Sequence, residues 1–144
     1  MNPPRSHALR KGRQSLPGHC YLVTIVTRNR FPWFRDPAIA RIACRNLYAD
    51  VVSRHGETLA YVVMPDHLHW LLQLEDDLQD AVRVYKARVS LMAGEKLWQR
   101  GFHDHGIRRE EDLRRVARYL VANPLRAGLV DDIRDYPYWN AVWL

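Results

Sequence analysis

The sequence predicts an α+β fold built on an antiparallel sheet, and three observations lead there. Short blocks of β-branched and aromatic residues alternate with stretches in which apolar residues recur at helical spacing. Two apolar blocks, 59–64 and 68–74, are joined only by Pro65-Asp66 and the residues flanking them, a connection with turn chemistry that reads as a β-hairpin. The order of elements is strand, helix, strand, strand, helix, strand, helix, which gives an antiparallel sheet with helices against it and resembles the split βαβ, ferredoxin-like arrangement. That architecture hosts enzymes and RNA-binding modules alike and decides no function by itself.

The elements follow in order. Residues 1–17 are rich in Arg, Pro and Ser without periodicity and are expected to form a flexible basic arm, leaving 18–144 as a single domain. A first strand covers 20–27 (Cys-Tyr-Leu-Val-Thr-Ile-Val-Thr). Asp36-Pro37 starts a helix, with Asp as N-cap and Pro at the first position; Ile39, Ile42, Ala43, Leu47 and Val51 form its stripe, and Gly56 stops it. After the hairpin, Leu78, Val82, Tyr85, Val89 and Met92 step by four, three, four, three to a helix ending near Gly94. Residues 96–107 form a further strand. A third helix runs over 109–121, with Leu113, Val116, Ala117, Leu120 and Val121 buried. The tail 136–144 packs down, because Tyr136, Tyr138, Trp139 and Trp143 would be costly left in water.

Composition narrows the function. The 144 residues suit one domain, and the formal net charge of +6 points toward a polyanion. The excess is N-terminal: residues 1–35 hold seven basic and no acidic residues. The rest of the chain is close to neutral. Two cysteines, Cys20 and Cys44, lie far apart without CxxC spacing, so a disulfide scaffold and a cysteine-ligated zinc site are excluded. No apolar run approaches the roughly 20 residues that span a bilayer, and the basic N-terminus lacks a secretory apolar stretch. No membrane partner and a cytoplasmic location are expected.

Three places carry candidate chemistry. His67-Leu68-His69 follows the hairpin turn, so on a strand both imidazoles project from one face while Leu68, Trp70, Leu72 and Leu74 point to the other. Such a pair can chelate a divalent cation, or it can be two hydrogen-bonded bystanders, since two ligands do not complete a site. His103-Asp104-His105 has the same spacing, but its glycine-flanked setting reads as a strand end or loop, where a shared face is not assured. At helical spacing Tyr119 and Asn123 lie one turn apart, about 40° from each other on one face. Tyrosine can act as a covalent nucleophile or pack a helix rim with its hydroxyl wet. Asn123 precedes Pro124 and can equally be the N-cap of a new turn.

Together these segments resemble a known family. Tyr61-Val-Val-Met-Pro-Asp-His-Leu-His-Trp-Leu-Leu72 is similar to the His-hydrophobe-His strand of single-tyrosine HUH transposases. Arg118-Tyr-Leu-Val-Ala-Asn-Pro-Leu-Arg-Ala-Gly-Leu-Val130 resembles the tyrosine helix of one branch, the REP-associated tyrosine transposases (IS200-like). Residues 97–105 and 18–24 are similar to that branch's connecting segment and first strand. The resemblance implies a central histidine strand in an HUH core, with the tyrosine helix beside it. It implies a divalent cation, Mg²⁺ or Mn²⁺, on His67 and His69, with Asn123 as a third ligand. It makes Tyr119 the nucleophile that forms a 5′-phosphotyrosine and releases a 3′-OH. It also implies a partner, single-stranded DNA carrying REP-type palindromic hairpins, and favours a monomer.

Basic residues supply DNA contacts in this reading: Arg5, Arg10, Lys11 and Arg13 of the arm, Arg28 and Arg30 after the first strand, and Arg83 and Lys86 on the second helix. Each can also be part of a solvated charged face. Two other classes compete with strand transfer. One is a non-catalytic single-stranded nucleic-acid binder on an RRM-like sheet, which needs exposed sheet aromatics for base stacking. The other is a metal-dependent phosphodiesterase that uses water and leaves Tyr119 structural.

Overall fold

The computed structural model describes residues 15–143. Five strands form one sheet in the order β4-β1-β3-β2-β5, every neighbouring pair antiparallel. They are β1 (Cys20–Val26), β2 (Gly56–Met64), β3 (His67–Leu74), β4 (His103–Ile107) and β5 (Trp139–Ala141). The helices are α1 (Pro37–Asn46), α2 (Asp50–Ser53), α3 (Leu78–Ala93), α4 (Glu110–Val121) and α5 (Asn123–Arg126). The α+β class and the βαββαβ core are as the sequence predicts. Among the described residues no helix is long and apolar enough to cross a membrane.

Side-chain alternation divides the core into two layers. On one face Val23, Ile25, Val63, Leu68, Trp70, Leu72 and Leu74 pack against α1 and α3. On the other, Leu59, Ala60, Val62, Met64 and Leu71 pack under Ala117, Leu120 and Val121 of α4, with Ala141 of β5. The first layer holds the largest buried ring, Trp70. Its indole N–H donates to Thr58 Oγ1 at 2.9 Å, and that hydroxyl donates to the Leu47 carbonyl at 3.1 Å. Tyr85 donates to the Ala43 carbonyl at 2.8 Å, so the deep polar atoms of this layer are satisfied.

Local signals hold where they are local. Asp36 caps α1 by accepting from Ala38 N–H at 2.9 Å, with Pro37 just inside. Asp77 caps α3, and Gly94 ends it at φ 72°, a left-handed turn that glycine makes without strain. Two expectations are corrected. The helix from Asp36 does not run to Gly56: it ends at Asn46 and is followed by the short α2. Gly56 instead opens β2, where a Cβ would lie 2.6 Å from the Gln73 carbonyl oxygen. Close approach to β3 requires this glycine, not a helix stop. The strand over 96–107 is shorter as well. Only His103–Ile107 pairs fully, and Trp98 makes an isolated bridge to Thr27. The aromatic tail packs down, with β5 extending the sheet beside β2 and the Tyr136 hydroxyl donating to the Val63 carbonyl at 2.6 Å.

Residues 1–14, with Arg5, Arg10, Lys11 and Arg13, lie outside the described residues. Ser15 and Leu16 are tied down: Leu78 N–H donates to Ser15 Oγ at 3.2 Å, and Leu16 N–H donates to Tyr21 Oη at 2.8 Å.

Candidate active site

The central position of β3 shapes the site. With β1 on one side and β2 on the other, His69 lies opposite Thr24 and Val62, and His67 opposite Val26 and Met64. Leu68 and Trp70 are fully buried on the far face, so both histidines emerge on the α4 side, as alternation requires. Their ring centroids are 5.0 Å apart and nearly perpendicular, at 76°.

Each ring is held through Nδ1. His69 Nδ1 is 2.9 Å from Thr24 Oγ1, and His67 Nδ1 is 2.7 Å from Asp66 Oδ1. The other Asp66 oxygen lies 3.4 Å from Arg30 Nε, which extends the chain to Arg30-Asp66-His67. The turn carrying Asp66 is itself pinned to the end of β1. Thr27 N–H donates to the Asp66 carbonyl at 3.0 Å, and the buried Thr27 hydroxyl lies 2.9 Å from the carbonyls of Asp66 and Phe31. Asn29 and Arg30 both adopt positive φ, 57° and 55°, an uncommon conformation for side-chain-bearing residues that brings Arg30 back toward Asp66.

With Nδ1 engaged, Nε2 of each imidazole is the nitrogen left for a cation, the arrangement usual for metal-ligating histidines. Burial, then the neighbouring His67, then the charge of Arg126 push the pKa of His69 down to about 4. It is therefore neutral near pH 7, the form that ligates. Two imidazole nitrogens suit a first-row divalent ion such as Mn²⁺. Among the described residues no group of three His, Cys, Asp or Glu side chains converges, so a bound ion needs an amide or substrate oxygens to complete its shell.

Tyr119 stands on α4, whose Ala117, Leu120 and Val121 are buried against the histidine face. Tyr119 itself is 66% exposed, and the Arg126 guanidinium carbon lies 3.6 Å from its ring centroid. The helix bearing Tyr119 ends at Val121, as expected, so Asn123 lies beyond it. Pro124 has no N–H to offer, α4 stops at Val121, and Asn123 begins α5 after a turn at Ala122. Asn123 is not an N-cap either: Ala122 occupies that position and no side chain caps the turn. Neither Tyr119 nor Asn123 hydrogen-bonds to the histidine pair.

Of the two readings, strand end or loop, the first holds: His103 and His105 lie on β4 and share a face. The register places them opposite Thr24 and Leu22, on the histidine side of the sheet, both exposed at its edge. Of the basic candidates, Arg28 is exposed in a short turn and Arg83 pairs with Asp80 at 3.3 Å. Lys86 is half-buried and spends its ammonium on the carbonyls of Gln99 and Gly101, at 2.9 and 3.0 Å. Burial lowers its pKa to about 8. It anchors the loop after α3, and Arg100 joins Arg28 and Lys86 along the same recess.

Sequence reasoning missed Thr24, Asp66 and Arg126. Thr24 had a signal, a lone hydroxyl on the Cys20-Leu22-Val26 side of its strand. Asp66 was read only as a turn residue. Arg126 offered no local signal, because its contact with Tyr119 depends on the turn at Ala122.

No protein-family model matches the chain. It is 29% identical over 140 aligned residues to the "Putative REP-associated tyrosine transposase" of Haemophilus influenzae, covering 84% of this chain and 78% of that protein. It is 34% identical over 90 residues to the REP-associated tyrosine transposase of Escherichia coli K12, covering 60% of this chain and 54% of that protein. Among solved structures, a REP-associated tyrosine transposase bound to a REP hairpin is similar at TM-score 0.75 and 27% identity, covering 96% of this chain and 82% of that one. A "putative transposase" from Deinococcus radiodurans, at TM-score 0.53 and 20% identity over 76% of this chain and 93% of that one, shares the fold.

Proposed function

From the relationship of this chain to the REP-associated tyrosine transposases in sequence and fold, we propose that it is a single-strand-DNA transposase. It cleaves and rejoins DNA beside palindromic hairpins of the REP type. One observation carries the reading: two imidazoles, each fixed through Nδ1, emerge on the sheet face covered by the helix that bears Tyr119.

In this mechanism Tyr119 Oη attacks the scissile phosphorus. The Oη–P bond forms, the bond from phosphorus to the 3′-oxygen breaks, the phenol gives up its proton and the leaving oxygen gains one. The products are a 5′-phosphotyrosine and a free 3′-OH. The covalent bond conserves the phosphodiester energy, so a second 3′-OH reverses the step without ATP. A divalent ion, Mg²⁺ or Mn²⁺, would be held by His67 and His69 through Nε2, with the amide oxygen of Asn123 as the candidate third ligand. When bound it would polarise the phosphate and offset charge on the leaving oxygen. Thr24 and Asp66 keep both imidazoles in the ligating tautomer.

The RRM-like alternative is disfavoured by the packing. Helices cover the sheet on both faces, so no open row of aromatics is available for bases. The test is incubation of the full chain with Mn²⁺ and hairpin-bearing single strands labelled at either end. A 3′-end label that migrates with the protein in SDS, with no transfer of a 5′-end label, is the expected result. Cleavage without any adduct points to water as the nucleophile and overturns the role of Tyr119.

A further inference from the structure

One cation beside the proposed nucleophile has no role in that scheme. Arg126 ends α5, and the turn at Ala122 folds its side chain back over Tyr119, placing the guanidinium carbon 3.6 Å from the ring centroid. A guanidinium stacked on a ring engages only its face. A guanidinium carries five N–H donors in one plane, and a contact with a ring face leaves donors for other acceptors.

Arg126 is also unspent. Arg30, Arg83, Arg109, Arg115 and Arg134 each pair with a carboxylate, whereas among the described residues none pairs with Arg126.

We propose that Arg126 grips the scissile phosphodiester, its forked N–H groups on the two non-bridging oxygens and its face holding the Tyr119 ring for attack. The assignment rests on the reading of Tyr119 as nucleophile. As Oη–P forms and P–O3′ breaks, negative charge builds on the non-bridging oxygens, and bonds from a fixed cation strengthen there. Loss of one such preorganised donor group costs on the order of 10²–10³ in rate. Arg126→Ala and Arg126→Gln are expected to lose about that much cleavage. Arg126→Lys keeps the charge but neither the fork nor the flat stack, and recovers only part. Arg126 is exposed, so these variants keep the core.

The decisive measurement needs neither turnover nor metal. In the full-length chain carrying Tyr119→Phe, with EDTA, affinity is compared for a hairpin strand with a normal or a neutral methylphosphonate linkage at the cleaved position, mapped from the parent's adduct. Removing the charge is expected to weaken binding about tenfold or more when Arg126 is present, and by less than about twofold in Arg126→Ala or Arg126→Gln. An equal penalty with and without Arg126, or no penalty in its presence, overturns the proposal. Adduct formation by the parent chain separates this failure from the larger one. Adduct made at near-parent rate by Arg126→Ala removes Arg126 and leaves Tyr119 standing. No adduct on any hairpin strand removes Tyr119, and Arg126 with it.

Discussion

Replacing Thr24 by Val deletes one hydroxyl while keeping a β-branched side chain suited to the strand. That hydroxyl lies 2.9 Å from His69 Nδ1 and sets which nitrogen of the ring faces the candidate cation site. Outer partners of metal-binding histidines are worth 10–100-fold in metal affinity, about 1.4–2.8 kcal/mol. The lower part of that range applies here. A neutral hydroxyl orients an imidazole less strongly than a carboxylate does, and Asp66 still fixes His67 at 2.7 Å. Thr24→Val is therefore expected to raise the half-saturating Mn²⁺ concentration by about 10- to 30-fold, with the maximal cleavage rate recovered at high metal. Thr24→Ser retains the hydroxyl and stays within about threefold of the parent. Calorimetric titration with Mn²⁺ reads the affinity, and cleavage of a labelled hairpin strand across a metal series reads its consequence. Unchanged Mn²⁺ affinity in a Thr24→Val protein that melts like the parent refutes the reasoning.

Three further outcomes are expected. Tyr119→Phe abolishes the covalent adduct but leaves hairpin affinity within a few fold by gel shift, because the exposed ring keeps its place; adduct persisting in this variant sends the search to another tyrosine. His67→Ala and His69→Ala each remove metal-dependent cleavage, whereas His103→Ala and His105→Ala, at the exposed sheet edge, impair it far less, and a bound ion seen at His103 and His105 reverses that order. Gly56→Ala is expected to lower stability by about 1–3 kcal/mol in urea unfolding, since its Cβ would meet the Gln73 carbonyl oxygen at 2.6 Å, and an unchanged midpoint contradicts the close approach.

What the sequence made legible was what depends on near neighbours. Alternation along 67–74 gives the face of each histidine, Asp36-Pro37 and Asp77 give helix starts, and Pro65-Asp66 gives the hairpin. The same reasoning misread Gly56, because the crowding that demands glycine comes from β3, some 17 residues away in the chain. It left His103 and His105 at a strand end or in a loop, because an edge strand with exposed residues on both sides carries little hydrophobic pattern. It ended the third helix at Val121, as observed, but offered Asn123 as the N-cap of the next turn, a position that Ala122 takes. The Thr24–His69 and Arg126–Tyr119 contacts join segments whose register and turn only the folded chain determines.

The position of β3 between β1 and β2 has a consequence for how the protein tolerates change. A strand paired on both sides cannot slide by one residue without moving Leu68 and Trp70 out of the core and the histidines into it. The separation of the two imidazoles is thus insured by the free energy of the whole domain, and amide protons of 67–71 should exchange with deuterium only through global opening. Tyr119, Arg126 and the basic loops lie on helices and turns outside the sheet. Substitutions there can accumulate without loosening the histidine pair, so the periphery is free to drift while the geometry at the centre of the sheet is kept.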